Sequence, residues 1–165
     1  MKELAYSHNT AQFFRLIKSP VKFRLFLLKN LPAAYFAGLK IKEVDEQTCS
    51  VNVPFKWFTK NPFRSAYFAC LAMAAEMSTG VLAMAHIFKR KPSVSMLVVE
   101  MSSRYYKKAT GVSTFICEEG LLIQEAVQTA IETGQPQIVK VKSIGYNQEN
   151  ETIAEFWFTW SFKVK

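Results

Sequence analysis

The stretch from Ala66 to Phe88 constrains the fold of this chain more than any other feature of the sequence. These 23 residues are nearly all small or apolar, and they lie between two helix-boundary signals, Asn61-Pro62 and Lys91-Pro92. A helix that is apolar on every side is enclosed by protein or by lipid. The length suffices for a bilayer, but Glu76 lies near the midpoint, where a charge is costly. We therefore expect the central helix of a folded core, over about residues 65–87, and no integral membrane segment.

Alternating apolar residues on both sides of this helix predict β-strands. The pattern from Leu39 to Phe55 predicts a hairpin that turns at residues 45–47. Four further strands are predicted at about 93–108, 111–119, 137–146 and 152–164. On the last strand, one face carries only apolar residues: Ala154, Phe156, Phe158, Trp160, Phe162 and Val164. Between the middle strands, residues 121–133 have helical spacing, with Leu122, Ala126 and Ala130 on one line and Gly134 as the stop.

This order of elements predicts an α+β chain with the hotdog fold. Several antiparallel strands with one apolar face need a cover, and only the helix of residues 65–87 is apolar enough to be enclosed. We expect a curved antiparallel sheet wrapped round that helix, as one domain over residues 1–165 with an N-terminal helical extension at 1–35. Within the extension, residues 10–30 predict two short amphipathic helices that break at Ser19-Pro20. Their apolar stripes pack on the domain, or the basic helices lie on a membrane surface.

Composition sets few limits on function. The net charge of +8 favours anionic partners or serves solubility. The three cysteines, Cys49, Cys70 and Cys117, form no CxxC pair, so we expect reduced core thiols. The segment MKELAYSHNT lacks the apolar core of a secretory signal, and we expect a cytoplasmic protein. His8 and His86 have no Cys or acidic cluster beside them, so no metal site is predicted.

Glu76 needs an explanation, because an ionised carboxylate loses several kcal/mol of hydration free energy when it is buried. It reaches water, has a partner, or takes part in chemistry. The structural alternative is an ion pair with Arg64 or Arg104, or a hydrogen bond from Ser78, Thr79 or Asn61. The Asn61-Pro62 dipeptide is likewise a common turn and helix-entry signal by itself.

The segment NPFRSAYFACLAMAAEMSTG resembles the signature of hotdog-fold acyl-CoA thioesterases of the phenylacetate-pathway type. In that family an Asn precedes a His-Gly-Gly helix start, and an acid lies two turns into the helix. By position, the Asn falls on Asn61, the His on Tyr67, the two glycines on Phe68 and Ala69, and the acid on Glu76. A bacterial branch of hotdog proteins with Tyr at the helix start and Glu as the acid is most similar, over about residues 37–164.

The resemblance implies hydrolysis of an acyl-CoA, or a related acyl thioester, at sites between two subunits. Glu76 would act as general base or nucleophile, and Asn61 would donate a hydrogen bond or orient water. The backbone at Tyr67, Phe68 and Ala69 would polarise the thioester carbonyl. We also assign Thr79 to the substrate-binding set, and we assign the phosphates of coenzyme A to the strand end at Arg104, Tyr106, Lys107 and Lys108. No cofactor is implied beyond coenzyme A as part of the substrate, and a homodimer or tetramer is expected.

Two other hypotheses remain open at the level of sequence. Phe68 and Ala69 put side chains where the family has glycine, which favours a non-catalytic protein that binds acyl chains or acyl-CoA. The basic N-terminal helices suggest, more weakly, binding of a membrane surface or of nucleic acid. Under the favoured thioesterase hypothesis, no nucleic-acid partner is expected.

Overall fold

The computed structural model describes residues 8–165 and contains five α-helices and six β-strands in that range. Three helices come first: α1 (His8–Ile17), α2 (Pro20–Asn30) and α3 (Pro32–Ala37). The hairpin of β1 (Lys40–Val44) and β2 (Cys49–Val53) follows, and a 3-10 turn at Trp57–Thr59 precedes the long helix α4 (Phe68–Ile87). The remaining elements are β3 (Val94–Tyr105), β4 (Ser113–Cys117), α5 (Gly120–Thr133), β5 (Gln137–Tyr146) and β6 (Thr152–Val164).

The six strands form one antiparallel sheet in the order β1-β2-β4-β5-β6-β3. Helix α4 lies along the face of the curved sheet, mainly against β2, β4 and β5, and α5 lies beside it against β5 and β6. This arrangement is the hotdog fold, so the predicted fold class and the central position of the apolar helix are confirmed. Strands β1 and β3 form the two edges of the sheet.

The apolar face of β6 is the part of the core that sequence periodicity predicted in most detail. Ala154, Phe156, Phe158, Trp160 and Phe162 are buried, and Val164 at the strand end is partly buried. The Phe156 ring lies 5.6 Å from the ring of Phe115 on β4, in an edge-to-face arrangement. Each such pair contributes about 0.5–1.5 kcal/mol beyond the hydrophobic effect of burying its two rings.

The N-terminal segment has three helices where two were predicted. The break at Ser19-Pro20 is where expected, since Pro20 begins α2. Pro32 begins a third helix, which ends after one and a half turns at Gly38 in a left-handed conformation with φ of 81°. Proline fits the first turn of a helix and glycine the position after its end. Pro32 and Gly38 therefore mark the two ends of α3, which hydrophobic periodicity did not predict.

The predicted line of α5 is also corrected. Its buried residues are Gly120, Ile123, Val127 and Ala130, whereas Leu122 is exposed and Ala126 is partly buried. The two lines have similar apolar content, and the close approach at Gly120 determines which one faces inward. The Gly120 N–H donates to the Gln47 carbonyl at 2.9 Å, and a Cβ at this position would lie 2.0 Å from the Glu46 carbonyl oxygen. The helix ends at Gly134 with φ of 67°, as predicted.

Within residues 8–165, α4 is the one helix long and apolar enough to cross a membrane by length and composition. Its most apolar 18-residue window is 67% buried inside the fold, which is what the core helix of a sheet requires. Cys49, Cys70 and Cys117 are free and buried, in agreement with the prediction of core thiols.

His86, near the end of α4, is buried, and its Nε2 atom has no hydrogen-bond partner in the described part of the chain. Burial, and then the positive charge of Arg90, lower the pKa of this imidazole from 6.5 to about 4. The folded protein therefore disfavours the protonated imidazole, and the unfolded chain binds more protons between these two values. Stability falls as the pH drops from about 6.5 towards 4.

We expect the free energy of unfolding to fall by about 2 kcal/mol between roughly pH 7 and pH 5 through His86. His86→Leu removes the titrating group and keeps an apolar side chain of similar size. Urea unfolding of both proteins across this pH range measures the effect, because other titrating groups contribute equally to the two slopes. Parallel pH profiles for the two proteins would contradict this account of His86.

Candidate functional site

Glu76 lies on the half-exposed side of α4, two turns into the helix, and is partly buried. Its carboxylate folds back over Gly80, one turn further along. A Cβ built on Gly80 would lie 3.0 Å from the Glu76 Oε1 atom and 3.5 Å from Cζ2 of the Trp160 indole. Glycine inside a helix costs about 1 kcal/mol relative to alanine. Here it leaves the space in which the carboxylate lies beside the Trp160 ring.

None of the structural partners considered for Glu76 binds its carboxylate in the described part of the chain. Among the described residues, no side chain forms an ion pair or hydrogen bond with its carboxylate. The Thr79 hydroxyl donates to the Glu76 backbone carbonyl at 2.9 Å, and the Ser78 hydroxyl contacts Ser143 at 2.8 Å. Arg64 and Arg104 are exposed. Burial without a compensating partner raises the pKa of the Glu76 carboxyl above its ordinary value.

Thr79 connects α4 with β6 through buried hydrogen bonds. The Trp160 indole N–H donates to the Thr79 hydroxyl at 3.0 Å, and both side chains are buried. Thr79 was predicted to belong to the substrate-binding set, and this stays a prediction. Its hydroxyl is enclosed and used twice within the protein, so its position holds the Trp160 ring beside Glu76.

Asn61 organises the loop that leads into α4. Its side-chain oxygen accepts from the backbone N–H groups of Phe63 at 2.9 Å and Ser65 at 3.2 Å. Its amide donates to the Ala66 carbonyl at 3.2 Å. This loop, which includes Arg64 at φ of 61°, explains why α4 begins three residues later than predicted. Asn61 thus fixes the helix entry, and its predicted contact with a reacting molecule stays a prediction.

The first turn of α4 presents unpaired backbone donors, as helix N-termini do. Tyr67 caps the helix by its backbone carbonyl, which accepts from the Cys70 N–H at 2.9 Å. The N–H groups of Phe68 and Ala69 have no protein acceptor within residues 8–165. The exposed rings of Tyr67 and Phe68 stand edge to face with centroids 5.0 Å apart, where the resembling family has His and Gly.

A groove of about 560 Å³ opens at this end of α4. Its lining contains six of the ten predicted site residues: Asn61, Tyr67, Phe68, Tyr106, Lys107 and Lys108. Glu76, Ala69, Thr79 and Arg104 are not in the lining. The fold therefore brings the helix start and the basic strand end together, and it places Glu76 further along the helix.

A half-open strip of α4 connects the groove with Glu76. Ala69, Ala72, Met73 and Glu76 follow the spacing of one helix face, and each is only partly buried. Ala69 and Ala72 have small side chains and therefore leave room for a slender apolar molecule along the helix. On the β3 edge of the sheet, Val99 and Met101 are also exposed.

The basic strand end is divided between paired and unpaired groups. Lys107 forms an ion pair with Glu151 at 2.5 Å, and the Tyr106 hydroxyl donates to Glu155 at 2.5 Å. The Arg104 guanidinium lies 5.7 Å from the Trp157 ring on the outer face of the sheet. Lys108 has no ion-pair or hydrogen-bond partner in the described range. Lys108 is thus the group best placed to bind an added anion.

Other places offer less chemistry. A larger groove of about 830 Å³ lies between α2 and β1, away from Glu76 and the helix start. No group of three or more metal-ligating side chains occurs among residues 8–165. Two residues beside Glu76 were missed at the level of sequence. Gly80, four residues after Glu76 in an apolar helix, was a readable signal. Trp160 was predicted to be a core residue of the last strand, without a role beside Glu76.

Solved structures similar to this chain share its fold at low sequence identity. A probable thioesterase from Pseudomonas aeruginosa superposes with a TM-score of 0.73 at 18% identity, covering 88% of this chain and 97% of that one. The PaaI protein of the Escherichia coli phenylacetic acid degradation operon gives 0.65 at 14% identity, covering 98% and 97%. A thioesterase from Haemophilus influenzae gives 0.64 at 12% identity, covering 88% and 91%.

Sequence comparison places the chain in a family without assigning an activity. A search of curated proteins found no significant match. The family model described as a domain of unknown function, DUF4442, matches residues 22–162. The match begins earlier than the resemblance seen in the sequence, so it includes α2 and α3 as well as the sheet and α4. This chain belongs to the DUF4442 family and has the hotdog fold.

Proposed function

We propose that this protein hydrolyses an acyl thioester, with Glu76 as the general base or nucleophile. The observation that carries the proposal is a partly buried carboxylate on the central helix that has no partner among residues 8–165 and has a raised pKa. A structural carboxylate is normally paired when it leaves water. The names of similar structures, which include a probable thioesterase and a thioesterase, support the same reaction class.

In the proposed reaction, Glu76 takes a proton from water as the water oxygen bonds to the thioester carbonyl carbon. The negative charge that develops on the carbonyl oxygen is stabilised by backbone N–H groups at the start of α4. The carbon–sulfur bond then breaks, and the departing thiolate receives the proton from Glu76. The products are a carboxylic acid and a free thiol. A base with a pKa raised towards neutrality is suited to taking up and returning that proton.

Within one chain, Glu76 lies too far from the backbone donors at the start of α4 to act on the same carbonyl. Phe68 and Ala69 lie seven to eight residues before Glu76, which corresponds to about 10–12 Å along a helix. One carbonyl must lie within about 3 Å of its oxyanion donors. We therefore propose that Glu76 of one subunit acts with the helix start of a second subunit in a homodimer.

The acyl carrier is proposed to be coenzyme A. The basic strand end beside the helix-start groove would bind its phosphates, with Lys108 as the unpaired cation and Arg104, Tyr106 and Lys107 at its sides. The acyl chain or the pantetheine arm would follow the strip of Ala69, Ala72 and Met73 towards Glu76. The protein would act in the cytoplasm without a metal or a further cofactor.

Two features favour a second candidate, a non-catalytic protein that binds acyl chains or acyl-CoA. Tyr67 and Phe68 place two rings at the helix start. Asn61 has its side chain fully engaged in the loop. Both features reduce the polar groups that a reacting carbonyl would meet.

Thiol release from a panel of acyl-CoAs with short, long and aromatic acyl groups tests the reaction. Wild type should turn over at least one member, and Glu76→Gln should lower turnover at least about a hundredfold, since a general base contributes that much. Gly80→Ala should lower it about tenfold, because the added Cβ would press on the carboxylate. Saturable binding without turnover, unchanged in Glu76→Gln, would instead support the binding protein.

Stability separates a functional Glu76 from a structural one. The pKa of this carboxyl is raised by burial, so its ionised form destabilises the folded state once the pH rises above its ordinary value of 4.5. We expect Glu76→Gln to raise the free energy of unfolding at neutral pH by about 1 kcal/mol, and this gain should vanish below about pH 4.5. Urea unfolding measures it, with Glu125→Gln on the exposed side of α5 as the control. A loss of stability would indicate a structural pair.

The proposed homodimer is tested at the β3 edge of the sheet. β3 is twelve residues long and pairs with β6 alone among the strands of residues 8–165, and it exposes Leu97, Val99 and Met101. An edge of this kind invites pairing with another chain. Val99→Lys combined with Met101→Lys should convert a dimer to a monomer in sedimentation velocity and abolish turnover, whereas Leu121→Lys on α5 should change neither. A monomeric wild type with full turnover would contradict the shared site.

A further inference from the structure

Positive charge is concentrated in the N-terminal helices and the start of β1. Residues 8–42 contain seven Lys or Arg residues and no Asp or Glu, whereas residues 43–165 carry a net charge of only +1. Seven of the eight net charges of the chain therefore lie in about a fifth of its length. Such asymmetry indicates an anionic partner for that segment.

Helix α2 presents apolar side chains on its outer side as well as its inner side. Phe23 and Leu27 are buried against the domain. Val21, Leu25 and Leu28 lie on the opposite side of the helix, and they are 70%, 61% and 46% exposed. Spacings of four and three residues align these three side chains in one stripe, which we call the α2 stripe. A helix of this kind has an unpartnered apolar surface.

The basic residues flank the α2 stripe. Lys22 and Lys29, which are exposed, follow the stripe on one side of the helix, and Arg24 lies on the other. The Arg24 guanidinium lies 4.2 Å from the centre of the Tyr35 ring on α3. Arg24 also lines the groove of about 830 Å³ at β1, whose other charged residues are three lysines and two acids: Lys18, Lys40, Lys42, Glu43 and Asp45.

Exposed aromatic groups also lie on α3 and on the 3-10 turn that follows the β1–β2 hairpin. Phe36 on α3 is exposed and its ring lies 6.2 Å from that of Phe58, in the 3-10 turn. Trp57 is next in the chain to Phe58 and is the most exposed of the large apolar side chains. Aromatic side chains are enriched where protein meets the headgroup region of a bilayer.

We infer that the α2 stripe and its basic flanks dock the protein on an anionic lipid surface. Apolar side chains enter the boundary between headgroups and acyl chains, and lysines attract the anionic headgroups. The charges disfavour a second copy, because a two-fold contact would bring the basic flanks of one α2 against those of another. Nucleic acid would neutralise the lysines but would leave the aliphatic stripe without a partner. The docking is independent of the proposed hydrolysis.

Co-sedimentation with vesicles tests this inference on the full chain. The protein should bind vesicles of phosphatidylcholine with phosphatidylserine, and not vesicles of phosphatidylcholine alone, and added salt should weaken binding. Lys22→Gln combined with Lys29→Gln should weaken binding roughly thirtyfold. Leu25→Gln combined with Leu28→Gln should weaken it at least about tenfold.

Matched variants on other surfaces control for charge and apolarity. Leu121→Gln combined with Leu122→Gln changes two exposed leucines of α5, and Lys140→Gln combined with Lys163→Gln removes two exposed lysines of the sheet. Neither should alter vesicle binding, and thermal melting should show that all variants fold. Equal binding to both vesicle types overturns the inference. So does an equal loss of vesicle binding in the α2 variants and in the control variants. So does an α2-stripe variant that changes the sedimentation coefficient of the free protein, or preferential binding of RNA through the same lysines.

Discussion

Enclosure of α4 is the constraint on which the rest of this structure depends. The helix is apolar on nearly every side, so it is stable in water only if other elements cover it. The curved sheet covers one side through β2, β4 and β5, while α5, α1 and α3 cover others. The side towards β6 and β3 is covered least, and Glu76 lies there. The candidate site is thus the place where the enclosure of one helix by one chain is incomplete.

The same constraint explains why so much of the fold was predictable from sequence. A long apolar helix and a strand with six aligned apolar residues, from Ala154 to Val164, admit few arrangements other than a sheet around a helix. Hydrophobic periodicity did not predict which side of α5 faces the core or that the N-terminal segment has three helices. The inward line of α5 depends on the contact of Gly120 with the turn at Glu46 and Gln47, which joins parts of the chain far apart in sequence. The third N-terminal helix depends on end signals and not on pattern.

The candidate site was predictable in its residue types but not in its geometry. Glu76 was conspicuous because a carboxylate in an apolar helix needs a reason. The sequence did not show that the Asn61 side chain hydrogen-bonds within its own loop, or that Thr79 hydrogen-bonds to Trp160. The second pair lies 81 residues apart in the chain. The distance between Glu76 and the start of its own helix could be computed from the sequence alone, since it follows from helical rise. That this distance favours a site shared between two subunits becomes clear only once the structure shows β3 as an open edge strand.

The solitary position of Glu76 also links the occupancy of the strip to the uptake of protons. Water still reaches this carboxylate, and neither an arginine nor a hydroxyl within the described chain holds its charge. An apolar molecule lying over Ala72 and Met73 displaces that water and makes the ionised form still less favourable. Any such molecule then binds more tightly to the protonated protein than to the ionised one, and its arrival draws a proton from solution. If the strip takes up apolar chains as proposed, its affinity for them falls as the pH rises through the pKa of Glu76.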